Sequence, residues 1–225
     1  MFEYYKQHAR HYVGVDCIIF GVINGELSIL LTRRNFEPGK GEWSLMGGFV
    51  GDNESLDDAV RRVLFELTGM DDIYMQQVGT FGALNRDPGA RVISVAYYAL
   101  INTHQFSPRL DDNIEGQWVS LKQLPILAFD HLQMIEKARE LMRKTVTHEP
   151  VGFNLLPELF TLSQLQSLYE SILGENIDKR NFRKRIAENE CIEKTDHIDK
   201  TGSRRGAQLY TFNEQKYLED HKFRL

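Results

Sequence analysis

The apolar positions of this chain change period along its length, and that change marks out its elements. Residues 12–23 form an apolar, β-branched run ending at Asn24-Gly25, a strong hairpin signal, so 27–32 reads as the partner strand. Glu37-Pro38-Gly39-Lys40-Gly41 has the composition of a loop. Leu56, Ala59, Val60, Val63, Leu64 and Leu67 then recur at helical spacing over 55–68, and Gly69 is placed to stop the helix. Further strands are expected at 74–81 and 92–101, flanking the turn Arg86-Asp87-Pro88-Gly89, and another around Trp118. A helix over 131–144 closes this first block.

Thr147 to Gly152 reads as a joint, and beyond it the pattern changes. A helix over 162–173, a turn at Gly174-Glu175-Asn176, a second helix over 179–189 and two short strands around Ile192 and 209–212 follow in order. That is the order of a winged helix-turn-helix. The expected organisation is α+β: a mixed-sheet α/β/α sandwich over 1–148, linking helix included, then a winged helix over 149–225.

Composition narrows the setting. With 225 residues, 42% hydrophobic and 26% charged, the chain has the make-up of an ordinary globular protein of two small domains. Nothing approaches the apolar run needed to span a bilayer, and the aromatic, mixed-charge start is not a secretory signal. Cys17 and Cys191 lie too far apart for a disulfide framework or zinc motif, so a cytoplasmic setting is expected. A net charge of −5 excludes a chain basic throughout, which makes the location of the cations decisive for any nucleic-acid partner.

One spaced motif stands at Gly47-Gly48-Phe49-Val50. Counted from Gly48, Glu54, Arg62, Leu64, Glu66, Gly69 and Met70 fit the Nudix box G-x5-E-x7-R-E-U-x-E-E-x-G-U, where U is aliphatic. Trp43 to Gly48 also resembles the segment that leads into that box. Hydrolases of that family gather carboxylates on the box helix so that divalent metals bridge a diphosphate and activate water. Positions 63, 66 and 67 share one helical face, and there Val63 and Leu67 replace two of the three glutamates. Glu66 remains, and Glu54 cannot rebuild the site alone, so neither catalysis, a metal nor a cofactor is expected. What survives is a fold with a pocket. Asp16, within an apolar strand, either pairs structurally or faces a polar cavity. Arg33, Arg34, Lys40, Arg86 and Arg91 are candidate contacts for an anion or a sugar, and Glu66 joins them as a candidate effector contact.

The second constellation is cationic. Lys179, Arg180, Arg183, Lys184 and Arg185 crowd the second helix of the C-terminal pair, with Asp178 as its N-cap and Phe182 and Ile186 as its buried stripe. Such a helix suits a major groove; Asn181 reads a base edge if it points outward, and otherwise caps or packs. Lys200, Arg204 and Arg205, in a glycine-bearing loop between the two strands, would form the wing.

Together these motifs resemble the Nudix-related transcriptional regulators, the NrtR family, over almost the whole chain. The carriers are Ala128-Phe129-Asp130-His131, Leu155-Leu156-Pro157, Phe160-Thr161-Leu162, Leu165-Gln166 with Tyr169-Glu170, and Asp178-Lys179-Arg180-Asn181-Phe182-Arg183. For Phe129-Asp130-His131 the resemblance favours a structural or capping role. It implies a homodimer on a palindromic operator in double-stranded DNA, a repressor released when a small effector enters the Nudix domain. One branch answers ADP-ribose and another answers sugars; overall similarity leans toward the sugar branch, with L-arabinose as the leading effector. The competing reading is an active Nudix hydrolase of ADP-ribose or another nucleoside-diphosphate sugar with an appended nucleic-acid-binding domain. An RNA-binding module lacks its usual aromatic stacking motif.

Overall fold

A computed structural model describes residues 2–69, 71–104, 116–201, 206–220 and 222–223. Its first part is organised around β1 (Tyr12–Ile23), a long strand that pairs on both edges. One edge runs parallel to β6 (Val92–Leu100), which continues antiparallel to β5 (Tyr74–Phe81). The other edge is shared. The end of β1 pairs with β2 (Glu26–Arg33) through the Asn24-Gly25 turn, and Asn24 there takes the positive φ that such turns demand. The start of β1 pairs instead with β4 (Met46–Phe49), reached through β3 (Trp43–Ser44). Strand β7 (Gly116–Ser120) adds to the outer edge of β2. Because β2 and β4 take the same edge of β1 in succession, the sheet parts between them.

Strand alternation sorts the core into two clusters. Val15, Cys17 and Ile19 face α2 (Leu56–Thr68), packing on Ala59, Val60, Val63 and Leu64. Ser55 and Asp58 form a capping box at the start of α2, and Gly69 ends it in the left-handed conformation. Ile18 and Phe20 face the opposite side, together with Ile29, Leu31, Ala96 and Tyr98, and are covered by Met134, Ile135, Ala138 and Met142 of α3 (His131–Thr145). Asp16 shares the parity of Ile18, which puts it on the α3 side.

The winged helix consists of α4 (Leu162–Leu173), α5 (Lys179–Ala187) and a small sheet in which β10 (Ala207–Phe212) pairs with both β9 (Ile192–Asp199) and β8 (Phe160–Thr161). A short N-terminal helix, α1 (Phe2–Lys6), and a late one, α6 (Glu214–Asp220), complete the described elements. Among the described residues, no helix is long and apolar enough to cross a membrane. At and beyond the expected joint, Pro150–Leu155 is a 3-10 helix with Pro150, Val151, Gly152 and Leu155 buried. Among the described residues, hydrogen bonds tie the two parts from Leu27 N to Ser171 Oγ (3.0 Å), from Asn102 Nδ2 to the Leu156 carbonyl (2.8 Å) and from Arg143 Nε to the Ile172 carbonyl (2.9 Å). One apolar core runs from Phe20 and Tyr98 through Met142 and Leu155 to Phe160, Tyr169 and Phe182.

That continuity has a measurable consequence. Both tryptophans, Trp43 and Trp118, lie in the first part, whereas Phe182 lies in α5. Emptying the Phe182 site with Phe182→Ala should cost about 3–5 kcal/mol. In urea, the tryptophan-fluorescence midpoint should fall together with that of far-UV circular dichroism. A fluorescence midpoint that stays put would mean the two parts unfold independently.

Candidate functional site

Where β2 and β4 part, the sheet opens into a cavity of about 270 Å3. Its floor is a buried polar cluster contributed by three elements. Asp16 of β1 accepts a hydrogen bond from the Ser94 hydroxyl of β6. Arg86 lies at the floor with 4% of its side chain exposed; its Nη2 stands 3.6 Å from Asp16 Oδ2. The same guanidinium binds Asp130 through both carboxylate oxygens, Nε at 3.0 Å and Nη2 at 2.8 Å. Asp130 therefore holds the N-cap position of α3 without capping it, because its carboxylate is taken by Arg86. His131, next along, accepts at Nδ1 from the Leu45 backbone N–H (3.1 Å). The ring proton then belongs on Nε2, which faces Asp16 Oδ1 at 3.7 Å. Burial, with Arg86 and Arg34 nearby, holds this imidazole below its usual pKa against the pull of Asp16 and Asp130. The floor thus offers one carboxylate acceptor, a neutral imidazole and a hydroxyl. Gly47 pairs opposite Asp16, and a Cβ there would sit 2.6 Å from Asp16 Oδ1, so only glycine leaves the carboxylate in place.

The rim is aromatic and cationic. Arg34 lies over the rings of both Phe36 (4.5 Å) and Phe129 (4.7 Å), and its Nε donates to the Pro38 carbonyl at 2.8 Å. Phe129 adopts φ 53°, unusual for a bulky residue, and sets its ring edge-on to His131. Arg33 covers Trp43 and donates to the Gly41 carbonyl. Phe49 also lines the opening.

The box helix faces elsewhere. Arg62 binds both oxygens of Glu54, at 3.0 and 2.7 Å, and also reaches the Phe49 carbonyl. These bonds, with the Gly51 N–H, bring the Glu54 carboxyl down to about 2. Val63 is buried in the core beneath Gly48, and Glu66 is largely exposed, 3.5 Å from Arg62. The side chain of Leu67 lies outside the described residues. A divalent metal needs several converging oxygens. Here one carboxylate is closed by arginine, one position is an aliphatic core residue and Glu66 stands apart, so these residues do not fit the group. Among the described residues there is no cluster of three or more His, Cys, Asp or Glu side chains able to share a metal.

In the winged helix, the Asp178 carboxylate caps α5 by accepting from the Asn181 N–H at 2.9 Å, and Phe182 and Ile186 are buried. Lys179, Arg180, Asn181, Arg183, Lys184 and Arg185 are all exposed, as is Lys200 at the end of β9. Arg204 and Arg205, expected at the wing tip, lie outside the described residues.

The sequence matches the NUDIX domain over residues 11–144 and the NrtR DNA-binding winged helix domain over residues 152–212. It is 39% identical over 207 residues to the ADPR responsive transcriptional repressor NtrR of Acinetobacter baylyi, covering 90% of this chain and 82% of that protein. The crystal structure of Shewanella oneidensis NrtR complexed with a 27mer DNA aligns with a TM-score of 0.77 at 32% identity, over 89% of this chain and 93% of that one. The NUDIX domain of the same protein complexed with ADP ribose aligns at 0.53 and 34% identity, over 60% of this chain and 91% of that one. The chain belongs to the NrtR family.

Within this NrtR-type chain, four of the residues singled out from sequence, Asp16, Arg33, Arg34 and Arg86, line one cavity. Three others lie outside its lining. Lys40 is exposed on the glycine loop, Arg91 is engaged with the Ala83 carbonyl, and Glu66 projects from α2 on the other side of the sheet. Ser94 and Phe36 belong to the cavity without having been singled out from sequence, and Phe49 and His131, noted only in the box lead-in and the turn before α3, line it as well. In the expected structural or capping turn Phe129-Asp130-His131, Asp130 is structural through Arg86 rather than as a cap, while Phe129 and His131 face the cavity.

The Glu54–Arg62 pair fixes a pH dependence. A carboxyl lowered in the folded state stabilises fully above its unfolded pKa of about 4.3, and that contribution disappears as pH falls through the folded value near 2. Glu54→Gln should therefore lower Tm by a constant amount from neutral pH to about pH 5, with the deficit closing below that. Differential scanning calorimetry across this range checks it; a deficit independent of pH would remove the ion pair as its cause.

Proposed function

We propose that this protein is a transcriptional repressor that binds a palindromic operator as a homodimer and is released when ADP-ribose enters the cavity. In this reading residues 1–148 sense the effector and 149–225 hold DNA. The observation that carries it is that α3 begins at the cavity floor, with Asp130 and His131, and ends against α4, with Arg143 on the Ile172 carbonyl. A ligand on the floor therefore touches the element that supports the helix-turn-helix. Coupling between two sites requires that kind of two-ended element.

The cavity's chemistry favours ADP-ribose over L-arabinose. Asp16, Ser94 and His131 suit the hydroxyls of any pentose, so the floor alone does not discriminate. Arg33 and Arg34 at the rim suit a diphosphate, and Phe36 and Phe129 suit a planar base. L-arabinose would leave that rim unengaged. The relatives point the same way: one is named as ADPR responsive and another was crystallised with ADP ribose.

On the DNA side, Lys179, Arg180, Arg183, Lys184 and Arg185 of α5, with Lys200, Arg204 and Arg205 of the wing, meet phosphates or bases, and Asn181 reads a base edge. Anisotropy titrations against a duplex selected from random sequence test the whole reading. ADP-ribose should release the duplex and L-arabinose should not; the reverse outcome would restore the sugar effector. Arg183→Ala should weaken binding, and a lost phosphate contact should reduce the salt slope by about one.

The protein acts without hydrolysing its effector, because the residues around Glu66 do not assemble a metal site. ADP-ribose incubated with the protein and magnesium or manganese should be recovered intact by chromatography. Turnover abolished by Glu66→Gln would establish the hydrolase reading instead.

A further inference from the structure

We propose that Phe36 determines effector specificity, forming with Phe129 a stacking site for a planar heteroaromatic group, whose place is held in the free protein by the guanidinium of Arg34. The inference rests on the nucleotide reading above and adds to it the residues that would separate a nucleotide from a bare sugar. Guanidinium is planar, delocalised and weakly hydrated, so it covers aromatic faces much as a base does. Arg34 covers two such faces at once, 4.5 Å from the Phe36 ring and 4.7 Å from that of Phe129. All three residues line the cavity.

Two features mark these rings as more than core packing. Phe36 is 60% exposed at the rim, so most of its apolar surface stays in water in the free protein. Phe129 keeps a left-handed backbone conformation that a bulky side chain rarely adopts, and this conformation holds its ring between Arg34 and His131. In the free protein the guanidinium is held on these rings by its Nε bond to the Pro38 carbonyl, a bond that displacement by a base gives up. When a base takes the ring face, the terminal nitrogens of Arg34 become available to the ligand's phosphates, so one displacement serves both ends of a nucleotide. A pentose has no π face and gains nothing from the exchange.

Calorimetric titration of the full chain with ADP-ribose separates the outcomes. Phe36→Leu keeps apolar bulk without a π face and should weaken binding about tenfold, within the range for stacking a base on an aromatic side chain. Phe36→Tyr keeps the ring and should bind within about twofold of wild type. Because Phe36 is exposed, both variants should melt with the wild type. Equal affinity in Phe36→Leu and wild type overturns the inference and leaves the nucleotide reading standing; equal loss in both variants also overturns it, since the π face would not be the cause. Failure of the wild type to bind ADP-ribose overturns both.

Discussion

The guanidinium of Arg86 joins two carboxylates that have no other means of lying together in a protein interior. It binds Asp130 with both arms and stands 3.6 Å from Asp16, at a site almost closed to water. Taking one partner away from such a cluster leaves an uncompensated buried charge, at a typical cost of about 3–5 kcal/mol. The arrangement does three things at once: it fixes the loop before β6 against the sheet, draws the start of α3 to the cavity floor, and leaves Asp16 turned toward the opening. Asp130 relinquishes the capping of α3 to do so. The helix start is thus set by the pocket rather than by its own local chemistry.

The box helix is fastened by an arginine pair rather than by a gathered set of carboxylates. Arg62 still bridges to Glu54 and to the Phe49 carbonyl, fastening the loop between β4 and α2. Val63 adds buried apolar surface beneath Gly48 where a carboxylate would have required a cation. The polar cavity lies on the other side of the sheet, where Asp16, Ser94 and His131 meet.

On that same side the winged helix is packed directly against the sheet and α3. Buried apolar contacts, and hydrogen bonds such as Leu27 N to Ser171 Oγ, make α4 a continuation of the core. The polar face of α5 lies outward because Phe182 and Ile186 occupy its buried stripe.

Local pattern in the sequence sufficed for what depends on neighbours. The apolar, β-branched run of 12–23 with its Asn24-Gly25 turn, the helical spacing of 55–68, the helix over 162–173 and the stripe of Phe182 and Ile186 all follow from contacts within a few residues, and each reappears in the structure. The replacement of acids by Val63 and Leu67 was equally legible, as was the cationic second helix. Short elements without a period of their own, such as β4 and the 3-10 helix at Pro150–Leu155, were not. Which charged residues meet was decided only by tertiary structure. Asp16, Arg86 and Asp130 are brought together because β1 pairs with β4 on one edge and β6 on the other while α3 crosses the face they share. Lys40, Arg91 and Glu66 carry the same kinds of charge and fall outside that crossing. Charge type is a property of a residue, but a binding site is a property of which strands pair.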